Sequence, residues 1–503
     1  MDFEQIPGQA NNEWSPDGTY IAGTAGATVL VRLAITHNVS ASFQCLDRVD
    51  KIEWSPRGPF LLCAQHKRGV VQGRAAAKEE RSGILPPRTC SCIWLLLCAV
   101  FDVRSKDWSF RINAGISGVI DAMFSPDGGH IVTFSDFQLK LTVWDVGSRA
   151  AVCHVKNPKQ GRKVVSFSGK DSKYMAVLQR QDGRDGVSVI ACDDWSCLQQ
   201  LPIATCDAQQ LQWAHDDAAV IVIDSPPEDR ICVYSVFGQL LKCIQPHTAG
   251  LGVKSAAQFS RTAPLFATGS YDDKLRVYSQ VTFDLLVELT HRGGQTDDGD
   301  RERGDAIPET LVYKEVLEQA DIPHGGSARD EHRVSRYVID TTVDVSARGA
   351  KPSGAVPPPN TSASASLGSV GVSIVEWSPD SRWIASKSDS EPCVVRVWDT
   401  NRYALHSLLV QMHNVKCIAW EPSQCAKDEA RLWIGASDHL YVWMPQGASA
   451  IDLPGGFGAV HRLQWNADAS AFLVENRDGC CLVGSPPSAN GLLCTDEPPV
   501  EHH

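Results

Sequence analysis

Among the 17 cysteines no two stand at Cys-x-x-Cys spacing, so the paired knuckle of a structural zinc site is missing. Three catalytic signatures are missing too. No His-Glu-x-x-His, no Gly-x-Ser-x-Gly and no phosphate loop ending in Gly-Lys-Ser/Thr occurs. That removes the sequence marks of zinc peptidases, serine hydrolases and P-loop nucleotide binders. Apolar runs stop short of the ~18 residues that a membrane helix requires. The start, Met1-Asp2-Phe3-Glu4, has no basic stretch followed by an apolar one, so no secretory leader is expected. Positive charge is scarce: 47 Lys and Arg face 59 Asp and Glu, a net charge of −12. General binding to nucleic acid or an anionic membrane needs the opposite sign. The expected compartment is reducing, cytosol or nucleus. Cys63, Cys232, Cys393 and Cys417 lie in apolar runs, where a free thiol packs as a small hydrophobe.

What is present is one phrase, repeated. It stands whole at Trp14-Ser15-Pro16-Asp17-Gly18 and returns as Trp54-Ser55-Pro56-Arg57-Gly58, Phe124-Ser125-Pro126-Asp127-Gly128 and Trp377-Ser378-Pro379-Asp380-Ser381. Looser copies begin at Phe167, Trp213, Phe259, Trp420 and Trp465. An apolar run precedes each copy and another follows it. A third, such as Leu141-Thr142-Val143-Trp144-Asp145 or Val395-Arg396-Val397-Trp398-Asp399, comes after a few turn residues. Proline presets φ and Asp-Gly closes a turn at little cost, so the phrase reads as a turn between antiparallel strands.

The aromatic anchors are separated by about 40, 70, 43, 46, 46, 118, 43 and 45 residues. Units of several short strands recurring every ~40–45 residues mark the blades of a β-propeller. The expected fold is therefore all-β, a propeller of seven to nine antiparallel four-stranded blades. The nine phrases allow nine blades in one ring, seven with two repeats closing imperfectly, or two smaller rings. Within the 503 residues, 1–289 hold the first group of blades and 371–485 the rest. Between them, 290–370 is rich in Ala, Ser, Gly, Pro and charge, and is expected to be largely disordered. Two islands inside it, 309–314 and 336–339, look ordered enough to complete a blade. Residues 486–503 read as a flexible tail.

The 70-residue gap contains Gly73 to Ala99, with a charged start, Pro86-Pro87 and an apolar end. Removing these 27 residues shortens the gap to 43 and joins Val70-Val71-Gln72 to Val100-Phe101-Asp102-Val103, a proper outer strand. The segment is expected to be foreign to the blade. A translated, retained intron explains it; a genuine loop insertion is the alternative.

The residues that stand out are read first as architecture. Trp14, Trp54, Phe124, Trp213, Trp377, Trp420 and Trp465 anchor the repeats, and Trp144-Asp145 and Trp398-Asp399 close two of them. The turn Gly269-Ser270-Tyr271-Asp272-Asp273-Lys274 resembles that of WD-repeat proteins, and the resemblance implies for Asp272 a place in a buried hydrogen-bond network rather than in chemistry. Asp193-Asp194 and Asp216-Asp217 read as solvated turns. No catalytic residue, metal ligand or cofactor is expected, although a pocket gathering distant residues stays open. A propeller without catalytic signatures presents loops and edges to other proteins. Lys67, Arg68 and Trp108, of types favoured in interfaces, are the candidate contacts; ordinary surface or packing is the plainer reading of each.

Longer matches support a family. Cys45-Leu46-Asp47, Ile52-Glu53-Trp54-Ser55, Leu62-Cys63-Ala64, Lys67-Arg68-Gly69 and Val71-Gln72 resemble the second repeat of the centrosomal and spindle-pole WD-repeat family known as WD repeat-containing protein eight. Leu141-Thr142-Val143-Trp144, Asp194-Trp195, Gly269-Ser270-Tyr271-Asp272 and Val312-Tyr313-Lys314-Glu315 extend the resemblance in the same order along nearly the whole chain. The resemblance implies a non-enzymatic scaffold at the centrosome or spindle pole body. It would anchor microtubule minus ends with a coiled-coil anchoring protein and a minus-end-directed kinesin. Segment 73–99 departs from the family pattern. A WD-repeat adaptor in another complex, in ubiquitin ligation or RNA handling, is the rival.

Overall fold

The computed structural model describes residues 3–484 except 8, 66–96, 106, 114–118, 136–138, 170, 246–251, 256–257, 261, 292–309, 320–332, 340–369, 423–429, 438, 455–456 and 478. These residues form nine sheets, eight antiparallel ones of four strands and a mixed one of six. We number the blades 1–9 along the chain: residues 10–44, 51–113, 119–156, 165–202, 210–244, 258–290, 372–410, 415–452 and 462–484. Strands a to d run from the innermost to the outermost of each blade. Each blade packs on the next, and blade 9 packs on blade 1 through Trp14, Ile21, Leu473 and Cys480. The ring is single, closed and nine-bladed.

Burial explains why these segments are strands. A middle strand has a neighbouring blade on each face, so it is apolar throughout, as in Ala219–Ile223, where every residue is buried. At ~1.5–3 kcal/mol for each fully buried Val, Leu or Ile, these runs hold the ring together. Outer strands alternate, with Val155 and Leu201 buried between exposed neighbours.

The repeated phrase makes the a–b turn. Ser15 Oγ donates to Asp17 Oδ1 at 2.5 Å and accepts the Tyr20 N–H at 2.9 Å. Asp17 also accepts the Thr19 N–H at 3.1 Å. Ser125 with Asp127 and Ser378 with Asp380 repeat the arrangement. The left-handed residue falls at Gly18 and Gly128, with φ of +69° and +72°, where glycine costs least. Blade 2 departs from the rule. Arg57 cannot accept, and Ser55 Oγ instead donates to Gly128 O of blade 3 at 3.4 Å.

Blade 9 takes its outermost strand from the other end of the chain: Phe3–Pro7 pairs antiparallel with Gly479–Gly484. Blade 7 is the six-stranded one. Leu311–Gln319 pairs parallel with Ala404–Val410, and Arg333–Ile339 pairs antiparallel with Leu311–Gln319. Glu315 holds this extension down. It accepts from Ser335 Oγ at 2.6 Å, from the Met412 N–H at 2.7 Å and from Tyr441 Oη of blade 8 at 2.7 Å.

In blade 2 the segment expected to be foreign, 73–99, ends inside the ladder. Leu97–Asp102 is a strand, with Cys98 opposite Ala64 and Ala99 opposite Cys63. The physical reason is that Leu97-Cys98-Ala99 fits the slots that Val70-Val71-Gln72 was expected to fill, and Cys98 is fully enclosed there. Residues 70–72 and 73–96 lie outside the described residues.

Candidate functional site

The repeat aromatics tie blades together. Each sits at the end of its innermost strand, and in four of them the indole N–H reaches the preceding blade. Trp14 donates to Gln464 O, Trp54 to Glu13 O, Trp213 to Ser166 O and Trp420 to Glu376 O, at 3.3, 3.0, 3.0 and 3.1 Å. Each acceptor immediately precedes the anchor of its own blade, so the bond is a repeat feature. Phe124 is buried at the same position without a donor, and Trp377 is buried on blade 6. The half-buried Trp465 has an indole N–H with no partner among the described residues.

The Trp-Asp marks serve their own blades. Trp144 Nε1 donates to Thr133 Oγ1 at 2.9 Å, and Asp145 accepts the Ser148 N–H at 2.7 Å. Trp398 Nε1 donates to Ser386 Oγ at 2.8 Å, and Asp399 accepts the Asn401 N–H at 2.9 Å. Ser386 Oγ also meets His291 Nε2 at 2.9 Å, while His291 Nδ1 lies 3.2 Å from Asp273 O. A carbonyl only accepts, so Nδ1 carries the proton and Nε2 accepts from the serine. Burial, with the Arg396 guanidinium adding to it, pushes this imidazole well below its ordinary value, so it is neutral. Asp272 is paired with Arg276, whose Nη2 lies 2.5 Å from Asp272 Oδ2 with both side chains buried. Asp273, which the sequence did not single out, accepts from Ser388, Ser390 and the Gly371 N–H and binds blade 6 to blade 7.

Of the expected contacts, Lys67 and Arg68 lie outside the described residues. Trp108 is half-buried, with Phe60 at 5.0 Å and the Arg149 guanidinium 4.8 Å over its ring. It therefore packs between blades 2 and 3.

Two surface features remain. The first is a cleft of about 320 Å³ between the a–b turns of blades 1 and 2. Tyr20 and Trp54, stacked at 6.3 Å, line it with Pro56, Pro59, Arg57 and Arg104. The second is a row of aliphatic side chains on the rim. In blades 3, 4, 5 and 6 the outer strand bulges by one residue, and the extra residue is Val152, Leu198, Leu241 or Leu286. These four are 43%, 55%, 48% and 43% exposed. The same bulge in blades 1 and 7 carries Ser40 and His406. Neighbouring outer turns touch, since Gln199 Nε2 donates to Phe237 O at 3.1 Å and Lys242 Nζ reaches Thr282 O at 3.4 Å. Phe237 and Val281 at those turns are among the most exposed apolar residues. A bulge re-aims a side chain outward, and an apolar patch running across several blades is the kind that marks a protein interface.

One group among the described residues has metal-like composition: Cys206, Asp224 and Glu228. Arg230 Nη2 already stands 3.0 Å from Cys206 Sγ, 3.2 Å from Asp224 and 3.0 Å from Glu228. The guanidinium supplies the positive charge that this cluster attracts.

Comparison with known proteins agrees with the strand order. The model of the WD domain, G-beta repeat, matches residues 238–279, from strand d of blade 5 to strand c of blade 6. The mouse (Mus musculus) WD repeat-containing protein WRAP73 is 28% identical over 93% of this chain and 92% of its own length. The chain is a WD-repeat protein. It is homologous to the mouse protein along almost its whole length. This WD-repeat protein also matches an uncharacterized WD repeat-containing protein of Schizosaccharomyces pombe, at 20% identity over 65% of this chain and 60% of the relative. The C-terminal WD40 domain of Sif2 overlays with a TM-score of 0.47 and 11% identity, covering 96% of this chain and 97% of that one.

Proposed function

We propose that this WD-repeat protein is a non-enzymatic scaffold of the centrosome or spindle pole body. In this reading it anchors microtubule minus ends with a coiled-coil anchoring protein and a minus-end-directed kinesin. The observation that carries the proposal is the match to WRAP73 over 93% of the chain, together with the family's motifs in the same order. The aliphatic row on blades 3–6 supports it. A helix with one apolar face can lie across several bulges, whereas a partner strand could pair with the edge of one blade only. Proximity labelling with the tagged chain tests the reading. Recovery of spindle-pole proteins, lost when Phe237 and Leu241 are changed to Ser, is the expected result. Recovery of ubiquitin-ligase subunits or ribosomal proteins instead would favour an adaptor in another complex.

A further inference from the structure

We infer that the cleft between blades 1 and 2 docks an extended acidic segment of a protein partner, whose carboxylates meet Arg57 and Arg104. Three observations carry this, and none depends on which partner occupies the rim.

The first is a break in the repeat. Of the four full copies of the turn phrase, three carry Asp at the fourth position: Asp17, Asp127 and Asp380. Blade 2 carries Arg57 there. In the other three the carboxylate completes the turn by accepting from serine and from backbone. The arginine contributes nothing to its turn and leaves Ser55 with a weaker, inter-blade bond. The fold thus loses a stabilising contact at the one turn that faces the cleft from blade 2.

The second is unspent charge. The chain carries a net charge of −12, and some of its arginines, such as Arg162 and Arg396, are committed to carboxylates of their own chain. Arg57 and Arg104 are both exposed, and among the described residues neither guanidinium has an ion-pair or hydrogen-bond partner. A guanidinium fork accepts a carboxylate through two parallel bonds, which sets orientation as well as sign.

The third is the shape between the charges. Tyr20, Trp54, Pro56 and Pro59 make an apolar, rigid floor, suited to an aliphatic or aromatic side chain placed among the acids. The opposite wall is negative. Burial works against the Asp17 carboxylate, but the Ser15 hydroxyl and the Thr19 N–H hold it below its ordinary value, so it stays ionised. Acidic groups are therefore steered to the blade 2 side, and the peptide lies in one direction.

The test uses the full chain and a displayed library of random twelve-residue peptides. The expected result is a selected pool enriched in Asp and Glu. The best peptide, labelled with fluorescein, should lose at least ten-fold in affinity with Arg57→Glu/Arg104→Glu and should bind more weakly in 300 mM than in 50 mM NaCl. Arg57→Lys/Arg104→Lys should retain part of the affinity. Both sites are exposed, and matching thermal transitions would show that the variants fold. Leu241→Ser on the rim should leave peptide affinity unchanged, which separates this cleft from the spindle-pole reading. A pool without acidic bias, a requirement for phosphoserine over Asp or Glu, or undiminished binding by the charge-reversed protein would overturn the assignment.

Discussion

Replacing Trp213 by Phe should cost clearly more than the same change at Trp465, although both tryptophans anchor a repeat. Trp213 is 4% exposed, and its indole N–H donates to Ser166 O at 3.0 Å. Phenylalanine removes the donor and leaves that carbonyl with one partner fewer at the junction of blades 4 and 5. A typical intramolecular hydrogen bond contributes ~1 kcal/mol net, and stranding a buried partner raises the cost to ~1–3 kcal/mol. The smaller ring adds about 1 kcal/mol of lost apolar burial. The expected destabilisation is about 2–4 kcal/mol. At Trp465 the ring loss is similar, because it packs on Phe472 at 4.6 Å and Trp433 at 5.9 Å. Its N–H, however, is buried without a partner among the described residues, and removing an unsatisfied donor returns ~1 kcal/mol. That change should be close to neutral. Urea unfolding followed by far-UV circular dichroism, with unchanged m-values, measures both. Equal costs, within ~0.5 kcal/mol, would refute the claim that the indole bonds couple neighbouring blades.

Four further outcomes are expected. Asp272→Ala leaves the buried Arg276 guanidinium with Glu288, at 3.3 Å, as its remaining carboxylate among the described residues and should cost ~1–3 kcal/mol, read as a lowered urea midpoint; a loss below ~0.5 kcal/mol would return Asp272 to the solvated turns. Asp229→Asn should raise the melting temperature at pH 7.5. Both Asp229 oxygens are buried without hydrogen-bond partners among the described residues, and burial, opposed by Arg276 and aided by Asp272, pushes the carboxyl up to about 6. A folded pKa above the unfolded ~3.9 means that ionisation weakens the fold as pH rises through that interval, so the gain should fade between pH 6 and pH 4. Asn also accepts the left-handed φ of +49° found there. Deleting 73–99 offers Val70-Val71-Gln72 to the slots of Leu97-Cys98-Ala99, and the product should melt no lower than the parent; a drop of ~5 °C or more would show that Leu97–Ala99 are irreplaceable. Deleting residues 1–8 uncovers the edge of Gly479–Gly484 and should lower the melting temperature and promote aggregation, seen by light scattering.

The nine-bladed ring was legible because one phrase carries its own physics. Pro16, Asp17 and Gly18 each serve the turn, and apolar runs on both sides announce strands. The ring count stayed open between seven and nine because turn phrases do not show whether the last blade packs on the first; that depends on Phe3–Pro7 pairing across the whole chain. Asp272 was visible as a turn residue, but its partner Arg276 and the more connected Asp273 were not, since neighbouring acids differ only in where the backbone aims them. Trp108 stood out by type alone, and folding leaves it half-buried against Phe60 and Arg149. The signal for the cleft was Arg57, in a place that holds Asp in the other three full copies of the phrase. Arg104 joins it only through folding. The rim row was hidden because a one-residue bulge, not periodicity, turns Leu198, Leu241 and Leu286 outward.

The pairing of Phe3–Pro7 with Gly479–Gly484 sets a timetable for biosynthesis. The strand Phe3–Pro7 is made early, yet its ladder partner among the described residues is made more than 470 residues later. At ~5–20 residues per second, that first strand waits on the order of 25–100 s with no place to dock. Until then blade 9 is short of its outermost strand, and the edge of Gly479–Gly484 has to wait for its cover.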